Sequence, residues 1–441
     1  MKGLLLLMLL PVSSLAQDAL FTADLQLLSR GEIRNGGMTS DPDDPDSEDK
    51  SAFILNRELL TLGYKRNWLE SKLSVHHAGT WGHEGASGIN LFEGWGKVTA
   101  RNGLFAQIGR IALSYDDERI IGSDDWVVAP MTHDALRLGY EGHGHKVHAI
   151  LCYNQNNRAM DEPGSYYSDG NLPYKTMQTA WYHYDVPKIP LGFSLLFMSI
   201  GMQSGTQPGT QDNQDAQDAL MDDPPHTEWQ FLYGGYLKYT PPHFSLECSY
   251  YRQTGHDEHR FKLDTWMATI KAEWTPNDKW SVNTGFDYLS GDDYVSVLYP
   301  GSLGLPQHKV NKGFTPTYGS HHKFYGAMDF FYVSTYVEGF TPGLQNAYIG
   351  GTYSPLKNLR FNIAYHYMAT GIGLEDLNQT LGHELEFEIS YTPLKNVTVS
   401  AGYSYMTGTK TMERLKRASS DGRLRWGWLS VVISPRLLTI Q

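Results

Sequence analysis

The sequence predicts an all-β chain, a transmembrane antiparallel β-barrel of about 18 strands with short periplasmic turns and long extracellular loops. Three observations predict it. The chain opens on an export leader. Its later segments alternate apolar and polar residues at a period of two. Its connections are tight at one set of strand ends and long at the other.

The leader comes first in the chain. Lys2 supplies a positive start, Leu4 to Leu10 form a short apolar run, and Ser14-Leu15-Ala16 reads as a cleavage site before Gln17. Residues 1–16 are therefore expected to be a signal peptide, and residues 17–441 a single barrel domain. No Cys follows the cleavage site, so a lipoprotein is not expected. No later apolar run approaches the roughly 18 residues of a helical span. The best, Phe193 to Ile200, has the length of a strand.

Composition agrees with a wall in lipid. The 28 Tyr and 11 Trp are a heavy aromatic load, and aromatic girdles at two membrane interfaces account for one. The net charge is −12, with acids clustered at Asp41 to Asp49, Asp116 to Asp125 and Asp212 to Asp223. These runs are placed in wet loops, and the balance argues against a nucleic-acid partner. Cys152 and Cys248 fall on opposite faces by strand parity, so no disulfide is expected between them.

An aromatic-Thr/Ser-Pro tripeptide recurs as Tyr239-Thr240-Pro241, Trp274-Thr275-Pro276, Tyr353-Ser354-Pro355 and Tyr391-Thr392-Pro393, with a weaker echo at Ile433-Ser434-Pro435. Proline cannot donate to a ladder, so each of the four is read as a turn between strands. Further tight turns fit near Lys65-Asn67, Arg101-Gly103, Gly142-His145 and Pro187-Pro190. Eight turns make 18 strands with both ends at the periplasmic rim. The clearest hairpin runs from Glu384 to Tyr405: Leu385, Phe387, Ile389 and Tyr391 alternate with acids and Ser390, and Val397, Val399, Ala401, Tyr403 and Tyr405 follow. The connections Gln203 to His226 and Ser290 to Gln345 are long, and the sequence leaves open whether the second folds inward.

Two segments resemble the alginate export family of outer-membrane porins. One holds Gly109-Arg110, Ser114-Tyr115-Asp116-Asp117-Glu118-Arg119-Ile120-Ile121-Gly122, Asp125-Trp126 and Asp134-Ala135-Leu136-Arg137-Leu138. The other holds Phe286-Asp287-Tyr288-Leu289-Ser290-Gly291-Asp292 and His322-Lys323-Phe324-Tyr325-Gly326-Ala327-Met328-Asp329. The resemblance implies an 18-stranded pore in the outer membrane of a Gram-negative cell. It also implies an anionic polysaccharide such as alginate, or other small anionic solutes, as cargo. The chain departs from the family in the apolar Ile111-Ala112-Leu113 after Gly109-Arg110 and in its ending, Leu437 to Gln441.

The chemistry of a pore is its lumen. On the first strand, parity sends Phe21, Ala23, Leu25 and Leu27 to lipid and Asp24, Gln26, Arg30, Glu32 and Arg34 inward. Leu136, Leu138 and Tyr140 point out and Arg137 in. Near the end, Leu424, Trp426 and Trp428 are read as outward, with Arg423 and Arg425 inward. The candidate anion-binding residues are Arg30, Arg34, Arg110, Arg119, Arg137, Arg423 and Arg425. Rings of Arg attract anions, and guanidinium grips carboxylates in pairs. Simple parity places Arg110 with Leu104, Ala106 and Ile108 on the lipid side unless a bulge or the strand end rescues it. Arg119 falls in the loop that follows.

No phosphate-cradling glycine motif and no G-x-S-x-G elbow occurs, and no enzyme activity, metal or cofactor is expected. The pairs His76-His77, His143/His145, His256/His259 and His321-His322 lack a second ligand pair. The expected partners are outer-membrane lipid and an anionic saccharide or small solute. The alternatives are a pore of different selectivity and a non-conducting adhesin or scaffold.

Overall fold

The computed structural model describes residues 19–35, 50–82, 88–154, 174–204, 226–257, 260–292, 310–316, 318–331, 336, 341–374, 377–416 and 423–441. The leader and the acidic runs Asp41 to Asp49 and Asp212 to Asp223 lie outside the described residues.

The wall runs β1 Ala19–Asn35, β2 Lys50–Arg66, β3 Leu69–Thr80, β4 Ile89–Thr99, β5 Leu104–Ile111, β6 His133–Gly142, β7 His145–Tyr153, β8 Thr176–Asp185 and β9 Leu191–Ser204. It continues as β10 His226–Tyr239, β11 Phe244–His256, β12 Lys262–Asn277, β13 Trp280–Leu289, β14 Leu344–Leu356, β15 Leu359–Ala369, β16 Thr380–Leu394, β17 Val397–Gly408 and β18 Arg423–Ile433. Each strand pairs antiparallel with the next, and β18 with its extension Arg436–Ile440 returns to β1. The result is a closed barrel of 18 strands, as the turn count predicts. Closure leaves no unpaired edge, which a bilayer requires. Among the described residues, one short α-helix, α1 Lys410–Lys416, lies in the loops at the other rim.

All eight predicted turns join strands at one rim, beside the two chain ends. The repeated tripeptide is not itself the turn in three of them. It sits at the end of the strand, where the register slips between Trp274 and Asn277, Tyr353 and Leu356, and Tyr391 and Leu394. Proline offers no N–H at that place, so the ladder skips there, and a two-residue turn follows. The Ser or Thr amide bonds the preceding hairpin instead: Thr275 to His243 O (2.8 Å), Ser354 to Lys279 O (2.8 Å) and Thr392 to Asn358 O (2.9 Å). Ser434, in the weaker echo, bonds Asn396 O at 2.8 Å in the same way. The motif thus ties each turn to its neighbour around the rim.

Alternation separates lipid from lumen. On β5, Ile108 is 64% exposed and the adjacent Gln107 only 2%. Outward aromatics gather at two levels. Trp280 stacks on Tyr353 near the turns (4.1 Å between centroids), and Trp266 on Tyr288 toward the loops (4.5 Å). From Trp274 to Trp266 is eight residues of β12. At about 3.3 Å each and a tilt of about 40° that is roughly 20 Å, close to the height of an outward apolar band. Cys152 faces inward and Cys248 outward, and both are free thiols.

Candidate functional site, a lumen narrowed by two inserted segments

The segment after β5 does not stay at the rim. Residues 112–132 carry Leu113, Tyr115, Ile120 and Ile121, all buried. They leave water by packing against the inward faces of the strands, in one cluster with Ile150, Met177 and Met198. The described part of the segment between β13 and β14 does the same with Phe314, Tyr318, Tyr325 and Met328. The two join inside the barrel. Ile121 and Tyr318 form a parallel bridge. Gly122 N donates to Tyr318 O and Ser320 N to Glu118 O, both at 2.8 Å.

Arg119 sits at this junction. Its guanidinium lies 3.0 Å from Asp117, 2.8 Å from Asp287 of β13, and 3.9 Å over the ring of Phe324. Burial pulls its pKa down, but Asp287, Tyr325 and Asp117 outweigh burial and hold it above the ordinary value. The charge is therefore neutralised in place and pins the loop to the wall. Asp117 is pushed up by burial against the pull of Arg119.

Arg30 and Arg34 point inward as expected, but both are spoken for. Arg30 Nε and an Arg34 terminal nitrogen each lie 2.8 Å from Glu32. Arg30 donates to Trp126 O at 2.9 Å and stands 3.8 Å over the Trp126 ring. Arg57, which the sequence reading passed over, donates to Val127 O at 3.2 Å and pairs with Asp125 at 3.0 Å. This wall anchors the first inserted segment.

Three candidates lie outside. Arg110 faces out at the end of β5, with no bulge to turn it, and grips Asp134 in two bonds of 2.8 and 2.9 Å. Arg423 and Arg425 face out too, on the face of Leu429 and Ile433. Leu424 and Trp426 are buried inward, and Trp426 Nε1 donates to Glu32 at 3.0 Å. The expectation for β18 was inverted because large apolar residues were assigned to lipid. Here the loop end of the lumen is itself a packed core, and it takes Leu and Trp.

Toward the turns the lumen opens into a chamber of about 540 Å³. Arg137, Lys146 and Lys238 reach it from β6, β7 and β10, with Trp181 and His183 from β8. Asp116 closes it from the inserted loop, accepting from Trp181 Nε1 at 3.1 Å and from Ser194. Burial raises the Asp116 carboxyl above the usual range. Lys238 pairs with Glu247 at 3.0 Å. Arg137 and Lys97 instead flank Phe105, at 5.5 and 4.4 Å from its ring, and Arg137 bonds Gln107 and Tyr115. Among the described residues no carboxylate lies within ion-pair distance of either cation. A second chamber of about 450 Å³ lies between Trp126, His322 and the β16 acids Glu386 and Glu388.

Of the sequence candidates, the lumen thus holds Arg30, Arg34, Arg119 and Arg137, and Arg137 is the one that lines either of these two chambers. Lys97, Lys146 and Lys238 were missed; strand-to-strand register sets them on the face of Arg137, Glu141 and Glu247, and no single strand's alternation contains it. Asp116 stands in an acidic run expected in a wet loop and in the segment of family resemblance; the inward fold of that loop instead sets it against Trp181 and Ser194 of the lumen wall.

No family model matches the sequence, and comparison with curated proteins finds no match. Solved structures do match in fold. Pseudomonas aeruginosa OccK2 (OpdF) in complex with glucuronate is 14% identical, with a TM-score of 0.60, over 95% of this chain and 98% of that one. P. aeruginosa OpdO is 13% identical, with a TM-score of 0.60, over 96% and 98%. P. aeruginosa OccK11 (OpdR) is 10% identical, with a TM-score of 0.59, over 95% and 96%. The likeness is one of fold and extends around the whole barrel. It does not point to the alginate export family in particular.

Proposed function

We propose that this chain is an outer-membrane channel, not an enzyme, that passes small anionic solutes in a Gram-negative cell. One observation carries the reading: Arg137 lines an open chamber of about 540 Å³ and Lys97 stands on the same lumen wall across Phe105, neither with a carboxylate partner among the described residues. Unneutralised cations on a lumen wall attract anions and repel cations. Two inserted segments occupy the loop half of the lumen, which supports a small solute over a polysaccharide chain. The OccK2 structure holds glucuronate, a carboxylated monosaccharide, and a solute of that class suits the aromatic and cationic lining here.

A second reading has its own observation. Glu384, Glu386 and Glu388 line β16 inward, so a field crosses the lumen and favours solutes that also carry a positive group. Planar-bilayer recording separates these readings. The expected result is a conducting pore with a reversal potential on the anion side in a salt gradient. Cation preference would overturn the anionic reading, and a closed barrel would leave the scaffold alternative.

A further inference from the structure

The outward arginines of β18 crown a groove on the lipid side of the wall. The groove measures about 520 Å³ and lies over the seam between β18, β1 and β2. Its sides are Ile33, Ile54 and Leu429, which are 68%, 36% and 54% exposed. Gly31, Ala52 and Gly427 make its floor. Arg425 stands two residues beyond Gly427 on the same face, and Arg423 two beyond that. At about 3.3 Å per residue the two guanidinium stems begin roughly 7 and 13 Å past the groove.

Height decides what covers this groove. Gly31 is ten residues beyond Phe21, which pairs with Ile440 at the turn rim. With strands tilted about 40°, that is about 25 Å up the wall, the top of an outward apolar band. Tyr403, paired with Gly427, and Tyr405, paired with Arg425, mark the interface at the same level. The groove therefore meets acyl chains, and Arg423 and Arg425 meet headgroups. Arg425 lies 5.9 Å from the centre of the Tyr405 ring, and among the described residues no carboxylate pairs with either arginine.

We propose that this face is a binding site for a lipid of the outer leaflet that carries phosphate monoester groups and more than two acyl chains. One acyl chain lies in the groove over Gly31 and Gly427, and its phosphate pairs with Arg423 and Arg425. Guanidinium forks suit phosphate oxygens, and apolar groove walls suit a chain. The two features occur in the order, outward along the strand, that such a lipid presents them.

The test is native mass spectrometry of the folded, detergent-purified full chain, with lipid A and phosphatidylethanolamine as probes. The expected result is a one-lipid adduct with lipid A. The double variant Arg423→Ala/Arg425→Ala should weaken it about tenfold, the loss expected for two phosphate-directed guanidinium contacts. Gly427→Leu tests the groove independently. A Cβ there meets nothing nearer than Tyr403 at 3.7 Å, so the fold accepts it while the side chain fills the floor. This variant should lose the adduct while its channel current is unchanged. Inorganic phosphate at the same concentration should not displace the lipid. The proposal is overturned if both variants keep the adduct, if phosphatidylethanolamine binds as well as lipid A, or if inorganic phosphate alone competes it away.

Discussion

Trp126 lies flat on His322, with ring centroids 4.0 Å apart and planes 12° apart. One ring comes from the loop after β5 and the other from the loop after β13. This stack, with Arg30 on Trp126, clamps the two inserted segments to the β1 wall. Trp126→Ala removes contacts of about 1–3 kcal/mol in total. Single-channel conductance is expected to rise, because the segment that narrows the lumen loses its anchor. An unchanged conductance would place the narrowing elsewhere.

Arg119 is the more costly residue to remove. Asp117 and Asp287 both face it, and its side chain is 3% exposed. Arg119→Met leaves two buried carboxylates without a counter-charge, a loss of about 3–5 kcal/mol. Denaturant unfolding followed by tryptophan fluorescence measures it. Adding Asp287→Asn to the same chain should recover part of the loss, since one stranded charge is gone.

Selectivity should follow the corrected geometry. Arg137→Gln and Lys97→Gln should each shift the reversal potential in a salt gradient toward cations. Arg423→Ala and Arg425→Ala should leave it in place, because those side chains face outward. An effect of the second pair equal to the first would mean that the outer end of β18 faces the lumen.

Lys416, at the end of α1, carries a pH prediction. It stands 3.7 Å over the ring of Tyr336, and burial lowers its pKa from 10.5 to about 7. Between those values the unfolded chain binds a proton that the folded chain does not, so stability rises with pH across that window. Below about 7 both states are protonated, and the contribution is at its lowest. The melting temperature should therefore increase from pH 7 toward pH 10 by more in the native protein than in Lys416→Met. Equal slopes in the two proteins would assign the dependence to other groups.

Local pattern made the wall readable and left the plug hidden. Leu385, Phe387 and Ile389 alternate with Glu384, Glu386 and Glu388 within one strand, and that needs no knowledge of the rest of the chain. The eight turns are likewise local. The inward folding of the loops rests on partners such as Glu118 and Ser320, which meet at 3.2 Å across 202 positions. No window of sequence contains both. Trp426 shows the consequence for the site. Its side chain is apolar, and the rule that sends apolar residues to lipid fails where the lumen is filled by Trp126 and His322. Arg423 and Arg425 were misplaced by the same single step of parity.

The seam where β18 meets β1 has a kinetic meaning. Every other wall pairing joins strands that follow one another, whereas Leu27 meets Ile433 more than 400 positions away. Closing so long a loop costs chain entropy that no nearby contact offsets beforehand, so this pairing should form last. The seam is also interrupted. Pro435 has no N–H, and across the gap Leu25 N reaches Pro435 O at 3.1 Å. Until it zips, the sheet is an open ribbon with two sticky edges, prone to pair with another unfinished copy. Cysteines placed at Ser29 and Val431, opposite each other in the closed register, should cross-link only in the slowest phase of refolding. The time a nascent barrel spends exposed to misassembly is then set by these two strands.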